Sequence, residues 1–136
     1  MNKVFLSSAY QDKPRMKSLA ELLRRQGLTV VSSWVDSPGV DYSLDPAVNI
    51  RWAVQDEQDL MDCDTYIQFD DENVRGKGQG GRYVELGIAR ATEKRILIVG
   101  EPVHVFHYLP GLKWFKDIHA LLQYVEDQEY ANWVVE

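Results

Sequence analysis

The sequence predicts an α/β domain built on a parallel sheet. Three observations carry this: short apolar runs without polar alternation, helical periodicity between them, and polar or glycine-rich loops after them. Strands alternating with helices imply βαβ units with right-handed crossovers. At 136 residues the chain is one domain, residues 1–136, because a second would need its own core of about 50 residues or more.

Val4-Phe5-Leu6 is the first strand. Met16, Leu19, Ala20, Leu22 and Leu23 then recur at helix spacing, and Gly27 stops that helix. Leu28 to Val31 is a weaker strand. Pro46 opens a second helix, with Ile50, Ala53, Val54, Leu60 and Met61 as its expected buried stripe. Thr65 to Phe69 is the next strand. The glycine-rich KGQGG precedes a helix over Tyr83 to Thr92. Ile96 to Val99 is the clearest strand, a short fifth is expected near Val103 to Phe106, and a last helix covers Ile118 to Val125. The irregular stretches Asp36 to Asp45 and Asp70 to Arg82 both follow strands. Both are therefore expected at the carboxyl edge of the sheet, where open α/β folds bind ligands.

Composition narrows the function classes. Fifteen Lys and Arg against 21 Asp and Glu give a net charge of −6, with no basic stripe. Such a chain is a poor partner for nucleic acid or for an anionic membrane surface. Cys63 is the single cysteine, so neither an intramolecular disulfide nor a thiolate metal cage can form. The aliphatic stretch Ile96 to Val99 falls far short of the ~20 residues of a membrane span. MNKVFLSSAY has too short an apolar run for a signal peptide. A cytoplasmic protein with a small-molecule partner is expected.

The most informative stretch is GGRYVELGIA, residues 80–89. Glycines after a strand let backbone N–H groups approach a ligand, and a helix start adds a positive dipole end. Glu85 is expected in or near the first helical turn, as a stabilising acid or as a nucleophile or base. Asp56 has Trp52 and Leu60 one turn to either side, while Asp59 and Asp62 point elsewhere. It is a solvated acid or, if partly desolvated, an acid that holds a proton near neutrality. In SSWVD, Trp34 can stack on a planar ligand or fill the core, and Asp36 can accept from a ligand's polar edge. Arg75, Lys77 and Arg82 place three positive charges in one loop, a mobile solvated segment or a phosphate attractor. His104 and His107 sit three apart without a third ligand, so no metal site is expected.

The succession KVFLSS, DEQDLMDCDTYIQF, GGRYVELGIA and KRILIVG resembles the nucleoside 2-deoxyribosyltransferase superfamily. SSWVD and VFHYLP look like its phage and bacterial branch. The pairing of the ELG motif with Asp56, eight residues before Asp64 of DCDTYI, is the specific part. The resemblance implies a flavodoxin/Rossmann-like three-layer sandwich with a five-stranded parallel sheet and no cofactor. It implies cleavage of the N-glycosidic bond of 2′-deoxynucleosides or their 5′-monophosphates, by transfer or hydrolysis. By the same resemblance Glu85 is the nucleophile and Asp56 assists at the base. By resemblance Phe5 lies near the sugar, and Ser7, Trp34, Asp36, Gly81 and Arg82 are the further candidates for binding substrate. The position six before the nucleophile is Gln79, where transferases carry an acid and monophosphate hydrolases a small hydroxyl residue. A homodimer or larger homo-oligomer is implied, with His107 and Tyr108 as candidates for completing a neighbour's site. The chemistry needs Glu85 ionised and Asp56 protonated: the helix start favours the first, and Trp52 and Leu60 the second. A nucleotide-binding module without turnover and an NAD glycohydrolase are the alternatives.

Overall fold

The computed structural model describes residues 1–38 and 42–135, so part of the stretch from Asp36 to Asp45 lies outside the described residues. The chain runs β1 (Lys3–Ser7), α1 (Lys13–Arg25), β2 (Thr29–Val30), α2 (Pro46–Asp62), β3 (Thr65–Asp70), α3 (Gly81–Ala91), β4 (Arg95–Gly100), β5 (Lys113–Phe115) and α4 (Ile118–Val135). The strands form one all-parallel sheet in the order β2-β1-β3-β4-β5. This is the flavodoxin/Rossmann-like sandwich expected. Among the described residues no helix is long and apolar enough to cross a membrane.

The central strands are mostly apolar, and their buried polar side chains Ser7, Thr65, Gln68 and Asp70 find partners within the protein. Every residue of β3 is buried, as are the last four of β1. α1 buries Met16, Leu19, Ala20 and Leu23 and ends at Gln26, just before Gly27. Leu22, expected in that stripe, is exposed. α2 starts where Asp45 accepts the N–H of Ala47 at 3.0 Å and Pro46 fills the first turn. β2 is only two residues long. Beyond it the Ser32 hydroxyl accepts the Leu6 N–H at 3.1 Å, taking the place of a ladder carbonyl.

Two expectations are corrected. Val105–Tyr108 forms a 3₁₀ turn with exposed Val105 and Phe106, and the fifth strand is Lys113–Phe115, paired with β4. The stripe of α2 is not buried: Ile50, Ala53, Val54 and Met61 are exposed, and only Leu60 is covered. An apolar helix face buries itself only against another layer, and these side chains meet none among the described residues.

The strand order reverses between β1 and β3, so a crevice opens at their carboxyl ends. Beside it, Gly100 lets β4 pass close to the end of β3. Its φ is +128°, and a Cβ there would sit 2.3 Å from the Asp70 carbonyl oxygen. Only glycine lets β4 close on the end of β3, where Asp70 begins the glycine-rich loop.

Candidate active site

The crevice holds a pocket of about 150 Å³. Ser8, Ala9 and Tyr10 follow β1, Trp34 and Ser37 follow β2, and Trp52 and Asp56 come from α2. Gly78 to Gly81 form the loop after β3, and Arg82 and Glu85 come from α3. The structure therefore brings Glu85, Asp56, Trp34, Gln79, Gly81 and Arg82 together. Ser7 lies just behind this wall, fully buried, and its hydroxyl donates to Glu85 Oε1 at 2.7 Å. Trp34 is fixed because its indole N–H donates to the Leu6 carbonyl at 2.7 Å. The Tyr10 ring lies 6.3 Å from it, tilted by 37°.

The two acids line the same pocket, Asp56 from α2 and Glu85 from α3. Burial, reinforced by the charge of Asp59, pushes Asp56 up to about 6. Burial pushes Glu85 up to about 8; the Ser7 hydrogen bond opposes this and the charge of Asp56 adds to it. Burial thus raises both carboxyl groups, and raises Glu85 further than Asp56. Glu85 is the fifth residue of α3, beyond the first turn, so the helix dipole gives it little. Asp56 Oδ1 is buried and has no hydrogen-bond partner among the described residues. A buried lone acceptor is costly unless a ligand satisfies it.

Arg82 is a brace. Its Nε donates to Asp70 Oδ1 at 2.9 Å, Nη1 to the Lys77 carbonyl at 2.8 Å, and Nη2 to the Val74 carbonyl and the Tyr83 hydroxyl at 3.3 Å each. Both partners of the ion pair are buried. The guanidinium therefore ties the loop to the end of β3 instead of reaching outward toward an anion. Gln68, Tyr83 and His107 complete the nest around Asp70. On the other rim, Arg15 joins Asp12 to Asp71, and Asp12 accepts from the Ser8 hydroxyl at 2.7 Å.

Other predicted residues lie elsewhere. Phe5 is one step below Ser7 on the same strand face, stacked on Tyr66 at 6.0 Å in the core and not in the pocket wall. Asp36 turns outward after the Ser33–Val35 turn and pairs with Arg24 at 2.7 Å. Arg75 reaches Glu101 at 3.4 Å, and neither it nor Lys77 lines the pocket. His107 is buried in its own chain: its Nδ1 accepts the Val103 N–H and its Nε2 lies 3.4 Å from Asp70. Burial, with His104 stacked on it, lowers its pKa. That imidazole is spent internally, whereas Tyr108 is exposed. Among the described residues no three His, Cys, Asp or Glu side chains group where a metal could sit. Sequence reasoning missed Ser37 as a pocket residue and Asp70 and Gln68 as its supports. The signal for the last two was polar letters inside the apolar run TYIQFD.

Fold and pocket define the class: an α/β protein with two opposed carboxyl groups at the switch point of a five-stranded parallel sheet. No family model matches the chain, and no curated protein matches it in sequence. Among solved structures, the Clostridium botulinum CMP N-glycosidase BcmB is 21% identical, covers 92% of this chain and 98% of its own, and superposes with a TM-score of 0.61. A 2-deoxyribosyltransferase from the psychrotolerant bacterium Bacillus psychrosaccharolyticus is 20% identical, covers 88% of this chain and 89% of its own, and gives 0.67. The chain shares its fold with both, the fold that its motifs resemble.

Proposed function

We propose that the chain cleaves the N-glycosidic bond of 2′-deoxynucleosides or their 5′-monophosphates, with Glu85 as nucleophile and Asp56 as proton donor. The observation that carries this reading is the pair of raised, facing carboxyl groups in one aromatic-walled pocket. By name, one fold neighbour is a glycosidase of CMP and the other a 2-deoxyribosyltransferase, which supports the reaction class. A base lies against Trp34, Trp52 and Tyr10. Ionised Glu85 attacks the anomeric carbon as positive charge builds on the sugar, and the electron pair of the breaking bond goes to the base nitrogen. Asp56 gives the base its proton. Developing positive charge favours an ionised Glu85, so the single proton of the pair settles on Asp56 as the bond stretches. Gln79 at the rim offers an amide to a sugar hydroxyl or a phosphate oxygen.

The test is a panel of four deoxynucleosides and their four 5′-monophosphates, with and without a second free base, followed by chromatography. Base release is the expected result, and exchange into a new nucleoside separates a transferase from a hydrolase. Nicotinamide release from NAD, or tight binding without turnover, would replace the reading. The pair must carry one proton. Below about 6 both acids are protonated and no nucleophile exists; above about 8 both are ionised and no donor remains. The kcat/KM profile is therefore expected to be bell-shaped between those values, and a flat profile from pH 5 to 9 counts against the pair.

A second copy of the chain is proposed as the cover for the exposed apolar faces. Ile50, Val54 and Met61 on α2, Val84 on α3, and Val105, Phe106 and Tyr108 after β4 are all exposed. A groove of about 600 Å³ runs beside Val84 and Phe106. A homo-oligomer places Tyr108 within reach of a neighbouring pocket. Sedimentation is expected to give at least twice 15.7 kDa, and a monomer at micromolar concentration would reject the assembly.

A further inference from the structure

We propose that Asp59 is a positioning residue for the site: its carboxylate, anchored beneath the Ser33–Val35 turn, fixes the Trp34 wall and sets a negative charge beside Asp56. This rests on the catalytic reading above and extends it to a residue outside the pocket wall. The geometry has three parts. Asp59 is only 8% exposed, although it is an acid in the last turn of α2. Its Oδ2 accepts the Ser33 N–H at 2.9 Å, and its Oδ1 accepts the Gln55 side-chain amide at 2.9 Å. It lies three residues after Asp56, so, contrary to the expectation that Asp59 points elsewhere, the two carboxyl groups are neighbours on one helix flank.

A buried acid held by two neutral donors has its lone pairs satisfied but its charge uncompensated. No cation among the described residues is paired with it. Its field acts on Asp56, whose Oδ1 has no partner among the described residues. The other charged groups around Asp56 do not offset this. Glu85, across the pocket on α3, is another acid. Arg82 is turned to Asp70, Lys13 donates to Ser37 and the Tyr10 hydroxyl, and Arg51 lies over the Trp52 ring at 5.8 Å. The same Asp59 oxygen that anchors Ser33 fixes the residue before Trp34. One side chain thus sets both the wall against which a base stacks and the acid that faces it.

The experiment uses Asp59→Asn, which keeps an acceptor for the Ser33 N–H and removes the charge. Gln55→Leu is the companion variant, because it loosens the anchor and keeps the charge. Carbon-13 NMR of the Asp56 carboxyl in the ligand-free proteins reads its titration directly. The acid limb of kcat/KM reads it in turnover. Two unit charges about 6 Å apart at an effective dielectric constant of about 40 interact by about one pKa unit. Asp59→Asn is expected to lower the Asp56 titration and the acid limb by about that much, with a reduced maximum rate. Gln55→Leu is expected to leave both in place. An unmoved Asp56 in Asp59→Asn, or equal shifts in the two variants, would overturn the proposal. A shifted Asp56 in a protein without turnover on any substrate would uphold the electrostatic role and reject the catalytic reading instead.

Discussion

Replacing Glu85 with glutamine is expected to cut base release by at least about 10³-fold while making the protein more stable at neutral and alkaline pH. The loss follows from removing the nucleophile, since the amide cannot trap the sugar. The gain follows from linkage. In the fold the Glu85 carboxyl is raised from 4.5 to about 8. The unfolded chain ionises near 4.5, so unfolding releases a proton across the window between these values. The stability that the protonated group contributes is full below 4.5, shrinks through the window and is gone above about 8. Glutamine carries no such dependence and still accepts from Ser7. Urea unfolding of both proteins from pH 4 to 9 is expected to show equal stabilities at pH 4. A difference on the order of 3–5 kcal/mol in favour of the variant is expected by pH 8. Parallel curves would mean that Glu85 is not buried as a strained acid.

Replacing Arg82 with methionine is expected to cost about 3–5 kcal/mol, the usual consequence of leaving a buried carboxylate without its cation. For a domain of this size that lowers the melting temperature by about 10 °C or more. Asp70 would keep Tyr83, Gln68 and His107 around it, but the carbonyls of Val74 and Lys77 would lose their shared donor. Base release is expected to fall with stability, because Gly78 to Gly81 form one side of the pocket. The double variant Asp70→Leu with Arg82→Met separates charge from shape: it is expected to recover much of the lost stability and none of the activity. A single variant as stable as the parent would show that the ion pair is not buried in solution.

The centre of this fold was legible because β1, β3 and β4 are covered on both faces, and such strands read as unbroken apolar runs. β5 was not, since three residues with a lysine at their head leave no pattern. Val103, Val105 and Phe106 looked like a strand and instead stand exposed around a 3₁₀ turn. The stripe of α2 illustrates the same limit. Periodicity reports that Ile50, Val54 and Met61 share a face, and says nothing about what covers it. Within the site, residue type and spacing marked Glu85 and Asp56, and the pocket contains both. Which of them holds the proton depends on neighbours through space: Ser7 from 78 residues away, and Asp59 from the next turn. Arg82 shows that a cation in a glycine loop answers first to the nearest buried acid, here a residue at a strand end that carried no motif.

Both margins of the sheet are its shortest strands, two residues in β2 and three in β5, and the second begins with Lys113. A growing cross-β assembly needs a long unpaired edge to template the next molecule, and neither margin offers one. The exposed side chains of α2 and α3 can therefore make the surface adhesive without making it fibrillogenic. Crowded copies of this chain are expected to meet helix to helix and not edge to edge.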